Sequence, residues 1–247
     1  RKMLHSFTHL FVQDKRSQEL LEEYGIRNVT VCGDTRFDRV LDVRNQARDL
    51  PQVDRFVKQK QGQKSYTLIA GSSWPQDEDI IIPYFNKHPQ MKLILAPHVI
   101  DEAHLKHIES KLKRPFVRYT EADEKTVAEA DCLIINCFGL LSSIYRYGNL
   151  AYVGGGFGAG IHNVPEAAVY GIPVLFGPNN KGFREAQDLL RMGGCFEITG
   201  QPLFNALVDK LTGNPRLSAK KGALCRDYIK SNAGATDTIF STLQLDV

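Results

Sequence analysis

Leu150-Ala151-Tyr152-Val153-Gly154-Gly155-Gly156-Phe157-Gly158-Ala159-Gly160-Ile161-His162-Asn163-Val164-Pro165-Glu166 is the stretch that decides the fold. A four-residue apolar run stops at a glycine-rich turn, and an apolar helical pattern follows over 164–170. That is a strand, a tight turn and a helix, one unit of a parallel α/β sheet. Glycines let backbone approach a ligand closely, and N–H groups in such a turn favour an anion such as phosphate. Asn163 stands at the expected N-cap, and Glu166 lies about one turn in, where it can accept hydrogen bonds from sugar hydroxyls. A tight glycine turn needed only for helix–sheet packing is the competing reading.

The same rhythm extends both ways from this unit. Strands are expected at Tyr66–Ala70, Lys92–Ala96, Phe116–Arg118, Asp131–Ile135, Pro173–Phe176 and Cys195–Ile198, with helices between them near 77–87, 101–112, 123–130, 139–147 and 183–191. Upstream, Thr8–Val12, Ser17–Tyr24 and Val29–Val31 form a smaller strand–helix–strand unit, and 36–62 reads as helix interrupted at Pro51. The polar stretch 58–64 reads as a linker, which divides the chain into 1–64 and 65–247.

In a doubly wound sheet, ligands bind at the carboxyl ends of the strands. Five of the predicted strand ends carry Gly71-Ser72-Ser73, Pro97-His98, Asn136-Cys137-Phe138-Gly139, Gly154–Asn163 and Gly177-Pro178-Asn179. The candidate nucleotide-binding residues are Gly71, Ser72, Ser73, Pro97, His98, Gly139, Gly154, Gly155, Gly156, Gly158, Gly160, His162, Asn163 and Glu166. Ser72 and Ser73 could equally cap the next helix, and Trp74 is either a packing residue or a stacking platform. Gly154–Ala159 also fits G-x-G-x-x-G/A, but the next strand ends Phe176-Gly177-Pro178-Asn179 without the carboxylate that a dinucleotide ribose needs. No G-x-S-x-G elbow surrounds the serines, which disfavours a serine hydrolase.

The bulk composition excludes more than it selects. Net charge is +3 (31 basic minus 28 acidic residues), too small to argue for nucleic acid. The five cysteines, at 32, 132, 137, 195 and 225, are odd in number, lack C-x-x-C spacing and read as reduced core thiols rather than a zinc set. No apolar run reaches the roughly 18 residues of a membrane span. No cofactor and no metal are expected.

The ordered set of segments resembles the C-terminal half of 3-deoxy-D-manno-octulosonic acid (Kdo) transferases. It comprises Phe11-Val12-Gln13-Asp14, Val31-Cys32-Gly33-Asp34-Thr35-Arg36-Phe37-Asp38-Arg39-Val40, Gly71-Ser72-Ser73, Gly139-Leu140-Leu141 through Tyr145, Gly160–Ala168 and Gly171–Pro178, with Phe183 beyond. The resemblance implies a GT-B glycosyltransferase with a Rossmann-like, parallel-sheet C-terminal donor domain, preceded here by the end of an acceptor domain. It further implies CMP-Kdo as donor, a lipid A precursor as acceptor, inverting metal-independent transfer, and work at the cytoplasmic face of the inner membrane. The base would come from a domain upstream of Arg1, so the chain alone is expected to bind donor without turning it over. Two departures stand out: Pro97-His98-Val99 replaces the family's P-R-H-P loop, and Asn136-Cys137 replaces an acidic pair. The alternatives are another GT-B enzyme using a UDP-sugar (transferase or epimerase) and a non-catalytic nucleotide-binding module.

Overall fold

The structure is a computed structural model that describes residues 2–58 and 65–244. Its centre is a seven-stranded, wholly parallel sheet of β3 (Tyr66–Ser73), β4 (Met91–Pro97), β5 (Phe116–Arg118), β6 (Cys132–Ile134), β7 (Leu150–Val153), β8 (Val174–Phe176) and β9 (Cys195–Glu197). Across the sheet the order is β5-β6-β4-β3-β7-β8-β9. From β3 the chain moves out to β4 and on to the edge strand β5, comes back to place β6 between those two, then crosses to build outward from β7 on the other side. The point where the order reverses lies between β3 and β7, where an α/β sheet opens a ligand crevice.

These short runs are mostly apolar at successive positions, as strands buried on both faces require, and neighbouring side chains point to opposite faces of the sheet. Ile69, Ile94, Ala151, Val153, Val174 and Phe176 point into one core layer, while Leu68, Leu93, Leu95, Leu150, Tyr152 and Leu175 point into the other. The second layer is closed by α4 (Pro75–Lys87), α5 (Glu102–Lys111) and α10 (Gln201–Thr212), through Ile81, Leu105, Phe204 and Val208 among others. The first layer is covered by α8 (Val164–Ala168), α9 (Arg184–Met192) and α11 (Pro215–Ser231).

Upstream, β1 (Leu10–Val12) and β2 (Val29–Val31) form a separate two-stranded parallel sheet joined by α1 (Lys15–Glu23). Asp14 caps α1 by accepting the Ser17 N–H at 2.8 Å. The helical stretch after it is two helices, α2 (Thr35–Asn45) and α3 (Pro51–Val57). Pro51 ends the expected helix and starts the next, occupying the first-turn position where its missing N–H costs nothing. Phe37 and Val40 of α2, with Val53, Phe56 and Val57 of α3, enter the same core layer as the large sheet. Most of the expected linker at 58–64 lies outside the described residues. The last helix, α12 (Ala235–Leu243), returns to α2, where the Asp38 carboxylate accepts the N–H groups of Gly234 (2.6 Å) and Thr236 (2.9 Å).

All five cysteines are free thiols, with Cys132, Cys195 and Cys225 buried. Among the described residues, no helix is long and apolar enough to cross a membrane.

Candidate nucleotide-binding site

The two strand ends at the switch point are locked together. Gly154 donates its N–H to the Gly71 carbonyl at 2.9 Å, and a Cβ built on Gly154 would lie 2.2 Å from the Ser72 carbonyl oxygen. Gly156 meets Gly177 in the same way, since a Cβ there would stand 2.6 Å from that backbone. Gly155 and Gly160 have positive φ (+91° and +137°), a region costly for other residues, and Gly160 also lies against the Phe183 ring. Only Gly158 has room, its nearest neighbour being 3.7 Å from a Cβ. Four of these five glycines therefore have a packing or backbone reason to be glycine.

The turn's own hydrogen bonds narrow what it can offer an anion. Gly154 gives its N–H to Gly71, Gly155 to Asp77, and both Gly158 and Gly160 to the Gly155 carbonyl. The N–H groups of Gly156, Phe157 and Ala159 find no acceptor among the described residues. Of the N–H groups that the sequence offers to a phosphate along the whole run, these three are the ones left uncommitted among the described residues.

Asp77 organises the crevice and went unnoticed in the sequence. It sits on the first turn of α4, 1% exposed, and accepts the Tyr152 hydroxyl at 2.6 Å and the N–H groups of Gly155 and Trp74 at 2.9 Å each. One carboxylate thus ties α4, β7 and the glycine turn. Burial, reinforced by that carboxylate, drives the Tyr152 phenol far above its ordinary value, so it remains a hydrogen-bond donor.

Gly71, Ser72 and Ser73 belong to β3 rather than to a loop. β3 continues pairing with β4 through Gly71↔Ala96 and Ser73↔Pro97, with a bulge in which Ser72 takes a φ of +52°. Ser73 is buried and donates its hydroxyl to Glu78 at 3.0 Å, while the other Glu78 oxygen meets His104 at 2.9 Å. Ser73 is committed inside the protein, and neither serine is the N-cap of α4, which is Trp74. A Cβ on Gly71 would strike the Tyr145 hydroxyl, which puts Gly71 in the core. Pro97 is the buried end of β4, and Gly139 (φ +84°) is an exposed turn two strands away from β3.

His98 and His162 do converge. Trp74 stacks on His98 (centroids 4.7 Å apart, 25° between planes), and His98 leans on His162 (4.5 Å, 31°). Trp74 closes the group by donating its indole N–H to His162 Nε2 at 3.1 Å.

Asn163 occupies the N-cap position of α8, but its side chain caps nothing. It donates instead to the Glu166 carboxylate at 2.8 Å. Both line a cavity of about 270 Å³ between α2, α7 (Leu141–Ile144) and α8, with Arg36, Arg39, Ser142 and Tyr170 on its other walls. Arg36 is already shared between Asp34 and buried Glu185. Arg39 has no acidic partner among the described residues, which leaves one uncommitted positive charge at this cavity. The two arginines carried no site signal in the sequence beyond their place in the Asp34–Val40 segment.

Burial raises the Glu166 carboxyl above the usual range, and the Asn163 hydrogen bond only partly opposes it. A raised folded-state value means that its contribution to stability is intact below the unfolded value and lost as pH rises through the folded one. Glu166→Gln cannot ionise. It should gain stability relative to the parent as pH climbs above about 4.3, the ordinary glutamate value. Denaturant unfolding across that range checks this, and a pH-independent difference between the two proteins would refute it.

No family model matches the chain. Among characterised proteins, it is 27% identical over 212 residues to the 3-deoxy-D-manno-octulosonic acid transferase of Rickettsia bellii, covering 83% of this chain and 49% of the relative. The transferase of the same name from Aquifex aeolicus is 29% identical over 221 residues, covering 87% and 55%. Both of these relatives are Kdo transferases. The chain spans about half the length of these Kdo transferases. Its fold matches the crystal structure of the C-terminal CMP-Kdo binding domain of WaaA from Acinetobacter baumannii, with TM-score 0.57, 17% identity, and coverage of 77% of this chain and 96% of that one. The fold is accordingly the α/β, Rossmann-like arrangement of GT-B glycosyltransferases.

Proposed function

We propose that this chain is the donor-binding half of a transferase that moves Kdo from CMP-Kdo to a lipid A precursor in lipopolysaccharide biosynthesis. The observation that carries the reading is the switch-point crevice, where the Gly154–Gly160 turn, His98 and His162 meet beside the Glu166 cavity. The Kdo transferase likeness over most of the chain supports the choice of donor.

In this reading the CMP phosphate lies against the N–H groups of Gly156, Phe157 and Ala159, with Ser72, His98 and His162 at its edge. Asn163 and Glu166 take ribose or sugar hydroxyls, and Arg39 offsets the donor's negative charge. Fixed dipoles of this kind stabilise the leaving CMP without reorganising during transfer. The loops near Gly139 and Gly177 border the base. Transfer is inverting and uses no metal, with the base supplied by an acceptor-side domain outside these 247 residues. The acceptor is reached at the cytoplasmic face of the inner membrane, and the chain by itself holds donor without turnover.

Glu166→Ala should weaken donor binding by about 1–3 kcal/mol, the usual cost of losing a charged hydrogen-bonding partner. Calorimetric titration with CMP-Kdo on a variant whose fold is verified by circular dichroism measures it. Unchanged affinity removes Glu166 from the site.

A further inference from the structure

Trp74 and His162 are 88 residues apart, and no motif spacing links them, yet the fold joins them by one directed hydrogen bond. An indole nitrogen can only donate, so His162 Nε2 must accept and cannot carry a proton. The backbone around the ring is equally fixed. His162 gives its N–H to the Gly154 carbonyl at 3.1 Å. The Cδ2–Nε2 edge of the ring faces Gly155, where a Cβ would stand 3.1 Å from Cδ2 and 3.3 Å from Nε2. From the turn after β4, His98 stacks on Trp74 and lies tilted against His162. The remaining nitrogen, Nδ1, has no protein partner among the described residues.

We infer that Trp74 is a positioning residue that fixes His162 as the neutral Nδ1–H tautomer and leaves that N–H to donate to an anionic oxygen of the bound nucleotide. The inference rests on the donor-site reading for its ligand and on geometry alone for the tautomer. The charged or titratable groups facing the ring are His98 and, from α4, Asp77. Protonating Nε2 would break the indole bond and place a cation beside His98, whereas Asp77 pulls the other way. Burial adds to the first tendency, and His162 is held below the ordinary histidine value. A neutral donor suits a leaving phosphate: it stabilises charge without the ring being drawn into proton transfer. This also gives Trp74 a task that stacking alone would not require.

The test is imidazole ¹⁵N–¹H correlation spectroscopy of the ligand-free chain across pH, on the parent and on Trp74→Phe, followed by CMP titration of both. The parent should show His162 as Nδ1–H with an unprotonated Nε2, titrating below about 6.5. Trp74→Phe keeps a ring against His98 but removes the N–H. Its His162 should titrate closer to the ordinary histidine value, lose the single tautomer, and bind CMP roughly tenfold more weakly, the effect of one hydrogen bond to a charged group. An Nε2–H tautomer in the parent overturns the inference, and that spectrum decides even if Trp74→Phe does not fold. Normal CMP binding with His162 spectra unmoved by Trp74→Phe also overturns it. Failure of the parent to bind CMP at all sinks instead the donor-site reading on which the ligand half depends.

Discussion

Asp77→Ala should lower stability by about 3–5 kcal/mol, the range expected when a buried charged group holding several donors is removed. The three bonds it accepts come from three different elements: the Tyr152 hydroxyl on β7, the Gly155 N–H in the turn, and the Trp74 N–H at the start of α4. Truncation leaves all three donors short of an acceptor in a region where the carboxylate is 1% exposed. Each orphaned group costs about 1–3 kcal/mol, and relaxation of the turn recovers part of the sum. For a protein of this size the thermal midpoint should fall on the order of 10 °C. Asp77→Asn should fall between the two, because its amide keeps one acceptor oxygen but turns an NH₂ toward a donor. A loss below about 1 kcal/mol for the alanine variant would mean that the turn is held by something other than this carboxylate.

The second large effect is expected at Gly154. Its Cα faces the Ser72 carbonyl so closely that an added methyl would stand 2.2 Å from the oxygen and 2.7 Å from the Ser73 Cα. These are backbone atoms, so no side-chain rotation relieves the clash, and β3 and β7 must separate at the crevice. Overpacking a well-filled site costs about 1–3 kcal/mol, and this geometry belongs at or above the upper end. Gly154→Ala should therefore destabilise by about 3 kcal/mol and abolish nucleotide binding by opening the Gly154–Gly71 bond. Gly158→Ala is the control within the same turn. Its methyl would touch nothing closer than 3.7 Å, and its backbone needs no positive φ. It should stay within about 0.5 kcal/mol of the parent. Equal destabilisation by both substitutions, measured by denaturant midpoint, would contradict the packing account of these glycines.

The strands were readable where an apolar run is bounded on both sides. Phe116–Arg118 and Leu150–Val153 match their expected limits residue for residue, because proline, glycine or polar residues close each run. The expected strand over 66–70 is three residues short of β3. Gly71-Ser72-Ser73 has loop composition but is held in β3 by pairing with β4, a tertiary effect that no local window contains. The expected helix over 139–147 begins later, at Leu141, and tightens to a 3₁₀ turn over Tyr145–Tyr147. The exposed Gly139 turn remains outside it.

The candidate site was legible in outline for a similar reason. Strand ends can be counted along a sequence, so His98, His162 and the glycine turn could be assigned to one edge of the sheet. Which groups are already spent inside the protein could not be read. Ser73 is taken by Glu78, and Gly155 by Asp77, across separations of 5 and 78 residues. Arg39 reaches the Glu166 cavity only because α2 docks beside α7 and α8. Asp77 itself looked like an ordinary acidic residue in a first helical turn, where such residues are common.

The Gly154–Glu166 segment is central to the donor-site account, and the nucleotide it prefers is its most exposed claim. Isothermal titration of the chain with CMP and with UDP, under identical buffer conditions, tests this directly. CMP should bind measurably tighter than UDP, and Glu166→Ala should erode that binding. Tighter binding of UDP, or no binding of either nucleotide, would contradict the account.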